Sequence, residues 1–346
     1  MLSPRTETIL KSIVGQYIAK AVPVPSQSII NDYELAVSSA TIRNEMAHLE
    51  REGYIIRPHP SAGSIPLDKG YRYYVETLSD IELPLAEQLL ISHLFHQVER
   101  ELEEWLSLAA SLTAQLVHNM AIVTIPKSAN CQFRHLELVA LKESLVLIVL
   151  ILHGARLREQ LITFDQVISQ SELITIANIL NAAYFGLTRA QISVKKLELS
   201  PTEQELTNCL LKIMKAEDEQ EYEQSCLDGL HFTLNQPEFR RGHRGQMLTE
   251  LVDCRKLLRT ITPEELSGQG VQVIIGKENK AEAIQDCSVV IIRYGLPEEA
   301  VGLITVVGPT RLPYGRTISA VSFLSSVLTQ LVAELYGREL STTHES

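Results

Sequence analysis

Apolar positions recur every three or four residues through the first fifty positions of the chain, and the rhythm breaks where proline and serine cluster. Residues 4–20 place Ile9, Leu10, Ile13, Val14, Tyr17 and Ile18 on one face behind Ser3-Pro4, which predicts an amphipathic helix. Val22-Pro23-Val24-Pro25 ends it, because proline disfavours helical backbone at the preceding residue. Ser26 caps a short second helix, SQSIINDY, that stops near Tyr33. A turn from Glu34 to Val37 leads to Ser38-Ser39, another capping site, and to a third helix, ATIRNEMAHLEREG, which ends at Gly53. Next, YIIRPHPSAGSIPLDKGYRYYV reads as a short apolar run, a loop of Pro, Ser and Gly, and a second short run. Three helices, the last two joined by a tight turn, followed by a hairpin are the layout of a winged helix-turn-helix, here over residues 1–78.

From Ala86 to Asn119 the pattern predicts one long helix within a linker spanning residues 79–120. Ile91, Phe95, Val98, Leu102, Trp105, Ala109, Leu112 and Leu116 alternate spacings of four and three, as in a coiled-coil seam. Leu94, Leu106, Leu108 and Val117 widen that stripe, so packing on a sheet within the subunit stands beside an intermolecular seam. Three strand-like runs follow at 133–141, 144–152 and 156–164. Residues 168–228 then read as helical and acidic, notably KAEDEQEYEQ, with another helix near 243–260. Strands return at 271–276, 287–294 and 302–308, and an amphipathic helix closes the pattern from Thr317 to Tyr336. Two groups of three strands around a helical stretch imply an α+β chain. Its second part would be one antiparallel sheet domain (121–167 and 229–346) with an insertion at 168–228.

Composition narrows the classes. At 346 residues the chain is long enough for two or three domains, and 45% hydrophobic with 21% charged residues is an ordinary globular profile. The longest apolar run, Leu145–Leu152, is far too short to span a bilayer, and the first residues lack the apolar stretch of a secretory signal. Five cysteines without any C-x-x-C spacing suit reduced thiols in a cytoplasmic protein and indicate no zinc site. No metal, other cofactor or membrane is expected. Net charge is −11, but residues 1–75 hold eight Lys/Arg against seven Asp/Glu, so the remainder carries −12. A near-neutral head on an acidic body permits nucleic-acid docking without predicting it.

The head carries the candidate chemistry. With Ile42 inward, steps of 100° per residue put Met46 and Leu49 inward as well, and turn Ala40, Asn44, Ala47, His48 and Arg51 outward, flanked by Thr41 and Arg43. Such a face suits the major groove, where Arg pairs with guanine and Asn with adenine. Ser38 and Ser39 at the helix N-terminus suit a phosphate. The same face would also fit a solvated helix in a partner-binding winged helix. The candidate wing is 59–64, with His59 and Ser61 in its loop; Arg57 before it and Lys69 and Arg72 after it could reach the sugar-phosphate. The rings of Tyr71, Tyr73 and Tyr74 suit packing better than base stacking. GPTRLPYGR (308–316) mimics an anion loop but lacks the P-loop Lys-Ser/Thr, so a structural link is the better reading, with a partner contact second. No catalytic set can be assembled, and no enzyme activity is expected.

VSSATIRNEMAHLEREGYI (37–55) and PHPSAGSIPLDKGYRYYV (58–75) resemble the heat-inducible transcription repressor family HrcA. So do GLHFTLNQPEF (229–239), IGKEN (275–279), DCSVVIIRYG (286–295) and VGLITVVGPTRLPYGRTIS (301–319). The resemblance implies a winged helix-turn-helix, a GAF-like antiparallel sheet domain and an inserted helical dimerising domain. It also implies a homodimer that represses heat-shock chaperone operons at an inverted-repeat, double-stranded DNA operator and depends on the GroE chaperonin for its active state. One departure stands out: Ser64 occupies the place of the arginine usual in the family's wing, so the resemblance implies the loss of a cationic contact there. A regulator sensing a small molecule in a GAF-like pocket is the alternative.

Overall fold

In the computed structural model, α1 (Pro4–Lys20) begins where the Ser3 hydroxyl accepts the Thr6 N–H, and ends at Ala21, whose left-handed backbone (φ 53°) returns its N–H to Tyr17. The structure describes residues 2–32, 38–59, 62–79, 81–98, 101–127, 131–142, 144–153, 156–219, 225–240, 258, 261, 270–297 and 300–338. The expected turn at 34–37 and most of the expected helix at 243–260 lie outside the described residues. Helix α2 (Ser26–Asp32) follows, then α3 (Ser39–Arg51), capped by Ser38. Ile9, Leu10, Ile13, Ile29, Ile42, Leu49 and Ile55 are sealed from solvent and form the core of this head. Strands β1 (Ile55–Ile56) and β2 (Ile65–Pro66) pair antiparallel over only two residue pairs.

The second short run is not a strand. Lys69–Val75 lies within helix α4 (Asp68–Glu76), because Pro66 ends the ladder and one face of the Tyr-rich turn is apolar. Tyr71 is buried at 6.0 Å from the Tyr314 ring, and Tyr73 meets Tyr54 edge-on.

The expected single helix at 86–119 is two helices, α5 (Leu85–Gln97) and α6 (Leu102–Val117), with extended backbone at Val98 and Glu101. Glu103 and Glu104 stand in the first turn of α6, where they complement the helix dipole. Trp105, Leu106, Ala109, Ala110, Thr113, Ala114 and Val117 are buried, against β3 (Met120–Thr124) and β7 (Ser225–Asp228). Of the two readings of the stripe, packing on a sheet is the one observed.

The strands also divide differently. The chain forms two compact units, one of residues 1–125, 224–295 and 302–332, the other of residues 126–223, 296–301 and 333–346. Strands β4 (Phe133–Ala140), β5 (Leu145–Leu152) and β6 (Arg156–Thr163) make a three-stranded antiparallel sheet in the second unit. Helices α7 (Gln170–Tyr184), α8 (Arg189–Val194) and α9 (Pro201–Glu219) share that unit. The insertion therefore begins before β4 and not at 168, and the two strand groups do not share a sheet. The reason is complementary burial. β5 is apolar at every position, yet only its alternate residues Val146, Ile148, Leu150 and Leu152 are buried, in one core with Leu173, Leu180, Leu206, Leu210 and Met214. Side-chain amides of α7 close the β4 edge: Asn181 exchanges both hydrogen bonds with Leu136, and Gln170 accepts from Ala140 and donates to Leu138.

The sheet of the first unit runs β7-β3-β10-β9-β8. Its members are β3, β7 (Ser225–Asp228), β8 (Gln272–Ile275), β9 (Cys287–Leu296) and β10 (Ala300–Pro309). A short helix α10 (Leu230–Leu234) follows β7. Neither β3 nor β7 was expected from the sequence: β3 fell between the long helix and the first strand-like run, and β7 at the end of the stretch read as helical. The last helix, α11 (Tyr314–Leu335), runs parallel to β9, touching it at Tyr314–Ser288, Ser325–Arg293 and Thr329–Gly295. Seven strand steps of about 3.3 Å and fifteen helical steps of about 1.5 Å both come to roughly 23 Å, so the two elements stay in step. By length and composition α11 could cross a membrane, but Ala320, Val321, Leu324, Leu328 and Val332 are buried inside the first unit.

Candidate nucleic-acid interface

Burial orients α3. Ile42, Met46 and Leu49 lie at 0%, 4% and 0% exposure, so the face carrying Arg43 and Asn44 is left outside. Ser38, Ser39, Arg43 and Asn44 are exposed, while Thr41 and His48 are half-buried. The Ser38 hydroxyl accepts the Thr41 N–H at 3.2 Å and shares a 3.0 Å hydrogen bond with the Thr41 hydroxyl, so both are engaged in the cap. Arg43 forms no hydrogen bond or ion pair with any described residue, and with Asn44 it makes a polar, unoccupied surface on the first turns of α3. Glu45, behind that surface, accepts from Thr6 at 2.8 Å and ties α3 to α1.

The cations around the wing are placed otherwise. Arg57 donates its Nε to Glu50 at 2.8 Å, its backbone N–H to the same carboxylate at 3.1 Å, and pairs through Nη2 as well. This hydrogen bonding holds the Glu50 carboxyl below the usual glutamate range. Lys69 donates to the Glu52 carbonyl at 2.7 Å and lies 4.2 Å from the Tyr54 ring centroid. Arg72 binds Glu278 through two nitrogens and the Val273 carbonyl at 2.7 Å. Held by a carboxylate and a carbonyl of the sheet, the Arg72 guanidinium fastens the head to the sheet and is turned to Glu278, not to the surface of α3. His59 is exposed; Ser61 lies outside the described residues.

Ser64 is sealed from solvent, and its backbone exchanges hydrogen bonds of 2.8 and 2.9 Å with Val24, which makes the segment between α1 and α2 a third rung beside the hairpin. Gly63 is required there, since a Cβ would collide with the backbone of Pro23 and Val24. The place of the missing arginine is thus the hairpin's inner edge in this chain, not its exposed tip.

In GPTRLPYGR both arginines have partners within the chain. Arg311 donates to Glu238 at 2.6 and 3.2 Å, to Gln236 and to the Ile18 carbonyl at 3.4 Å, joining the end of α1 to the sheet's connections. Arg316 pairs with Glu87 at 2.8 Å. Sequence reasoning passed over Glu50, Glu238 and Glu278, the acids that hold Arg57, Arg311 and Arg72.

Residues 103–318 match the family described as HrcA protein C terminal domain. The chain is 54% identical over 338 residues to a protein of Dehalococcoides mccartyi (strain ATCC BAA-2266 / KCTC 15142 / 195) named heat-inducible transcription repressor HrcA, covering 98% of both. It is 39% identical to the protein of that name from Roseiflexus castenholzii, covering 99% of this chain and 98% of the relative. Among solved structures, a hypothetical protein at 2.2 Å resolution aligns with a TM-score of 0.59 and 25% identity, over 96% of this chain and 98% of that one.

Proposed function

The chain belongs to the HrcA family of heat-inducible transcription repressors, and from that premise we propose that its head is a winged helix-turn-helix whose α3 reads double-stranded DNA. The observation that carries this reading is α3 itself: a buried row Ile42–Met46–Leu49 turns outward, at the helix's first turns, an exposed Arg43 and Asn44 that bond no other side chain among the described residues. Arginine offers guanine O6 and N7 a bidentate fork, and asparagine does the same for adenine. Ser38, Ser39, Thr41 and His48 border that surface, and His59 extends it through the wing.

The protein is a transcriptional repressor of heat-shock genes. In our reading it acts in the cytoplasm, on an inverted repeat upstream of chaperone operons, because a two-fold dimer presents two α3 helices to two half-sites. The second unit supports the dimer. On the β4–β6 face opposite its core, Val139, Leu147 and Leu161 form one apolar cross-strand row, with Val139 and Leu161 38% and 55% exposed. Dependence on the GroE chaperonin belongs to the same proposal and rests on family membership alone. The ligand-sensor alternative is not favoured by the relatives' names.

Fluorescence anisotropy tests the reading. A labelled duplex bearing an inverted repeat from upstream of a chaperonin operon is compared with its scrambled form, with and without chaperonin. Arg43→Ala is expected to cost on the order of 1–3 kcal/mol and to relax preference at one base position. Equal binding of both duplexes by the unaltered chain would overturn it.

A further inference from the structure

The wing's own ladder is too small to hold it. Two residue pairs, Ile55↔Pro66 and Ile56↔Ile65, form a hairpin that is marginal without outside support. Both legs find that support at one place, the C-terminal end of α3. The first leg leaves β1 through Arg57, which puts its backbone N–H and two guanidinium nitrogens on the Glu50 carboxylate, in the last turn of α3. The second leg enters α4 through Lys69, whose ammonium binds the carbonyl of Glu52, the residue that ends α3. The bridge from Ser64 to Val24 fixes the inner edge.

We propose that Glu50 and Arg57 are positioning residues for DNA recognition, coupling the wing to α3, and that Arg57 neutralises Glu50 instead of a phosphate. The inference rests on the reading of α3 as the DNA-reading helix. To reach a phosphate, Arg57 would have to surrender a fork and leave the Glu50 carboxylate facing the same polyanion. Kept together, the pair is neutral overall and releases no counterion when DNA binds. Its contribution is geometric: it sets where His59 stands relative to Arg43 and Asn44.

Geometry and charge leave different signatures in salt. A cation that neutralises a phosphate contributes about 0.9 to the slope of log affinity against log salt, whereas a positioning pair contributes nothing to it. The experiment uses the full chain and a duplex that the chain itself enriches from a randomised pool, titrated by anisotropy at several salt concentrations. Arg57→Ala and Glu50→Gln are each expected to weaken binding roughly three- to tenfold with the slope unchanged, and the double variant to be no weaker than the worse single one. Arg57→Lys should behave like Arg57→Ala, because an ammonium cannot reproduce the fork. The exchanged pair, Glu50→Arg with Arg57→Glu, should recover binding, and circular dichroism shows whether each variant is folded.

The proposal is overturned if Arg57→Ala lowers the slope by about one while Arg57→Lys and Glu50→Gln bind as well as the unaltered chain or better. It is overturned equally if neither single variant changes affinity. A chain that enriches no sequence from the pool defeats the DNA-reading premise, and this inference with it; a chain that enriches one and then shows the lowered slope defeats the inference alone.

Discussion

Replacing Arg311 by methionine should loosen the end of α1 from the sheet's connections without unfolding the sheet. Methionine keeps most of the apolar stem and deletes the guanidinium, so the change isolates the polar contacts. Those contacts are concentrated: two bonds to Glu238, one to Gln236 and a longer one to the Ile18 carbonyl, from a side chain only 12% exposed. Removing one partner of a fully buried pair costs about 3–5 kcal/mol, and an exposed pair is worth about 0–1. Glu238 is 23% exposed, so water shields the carboxylate left behind in part. An expected cost of about 2–3 kcal/mol lies between those limits.

A single unfolding free energy is ill-defined for a chain of two units, so the loss is better read locally, by native-state hydrogen exchange. The reporters are the amides at the end of α1, including Ala21, which donates to Tyr17. At about 1.4 kcal/mol per factor of ten, their protection should fall roughly thirty- to a hundredfold, while amides of β9 and β10 keep theirs. Adding Glu238→Gln should restore part of the loss by removing the stranded charge. A change under about threefold, or a double variant less protected than Arg311→Met, would refute the reasoning.

Ser64→Ala removes a fully buried hydroxyl that finds no hydrogen-bond partner among the described residues, so thermal melting should show stability unchanged or raised by up to about 1 kcal/mol, and a clear loss would reveal a partner. Leu147→Glu places a charge in the apolar outer row of β5 and should give monomers by sedimentation; a persisting dimer would move the interface elsewhere. The Arg57–Glu50 pair makes stability depend on pH. Because Arg57 lowers the folded-state value of the Glu50 carboxyl, the pair's contribution is full above the usual glutamate range and is lost as pH falls through the lowered value. The melting-temperature gap between the unaltered chain and Arg57→Ala should therefore close in acid, and a gap that stays constant to about pH 3 would contradict the pairing.

Local and non-local information separate cleanly in this chain. The helices of the head were legible because their caps and stripes are local: Ser3, Ser38 and the row Ile42–Met46–Leu49 stand within one or two turns of what they specify. The strands β3 and β7 were not. MAIVT continues the apolar rhythm of α6, and the helix stops at His118, which adopts left-handed backbone (φ 49°) without the glycine that usually marks such an end. The wing cations show the same division. A sequence displays a charge but not its partner, and the partner of Arg72 stands 206 positions away. Arg43 differs in a way the sequence does display. Its helical neighbours three and four positions off are Ala40, Ser39, Met46 and Ala47, none of them acidic, so no carboxylate on its own helix can claim it. A cation with no local acid, on a helix whose opposite face is buried, is left for an external partner; by that rule Arg43 could be put forward before any fold was known, while the partners of Arg57, Lys69 and Arg72 could not be named from the sequence.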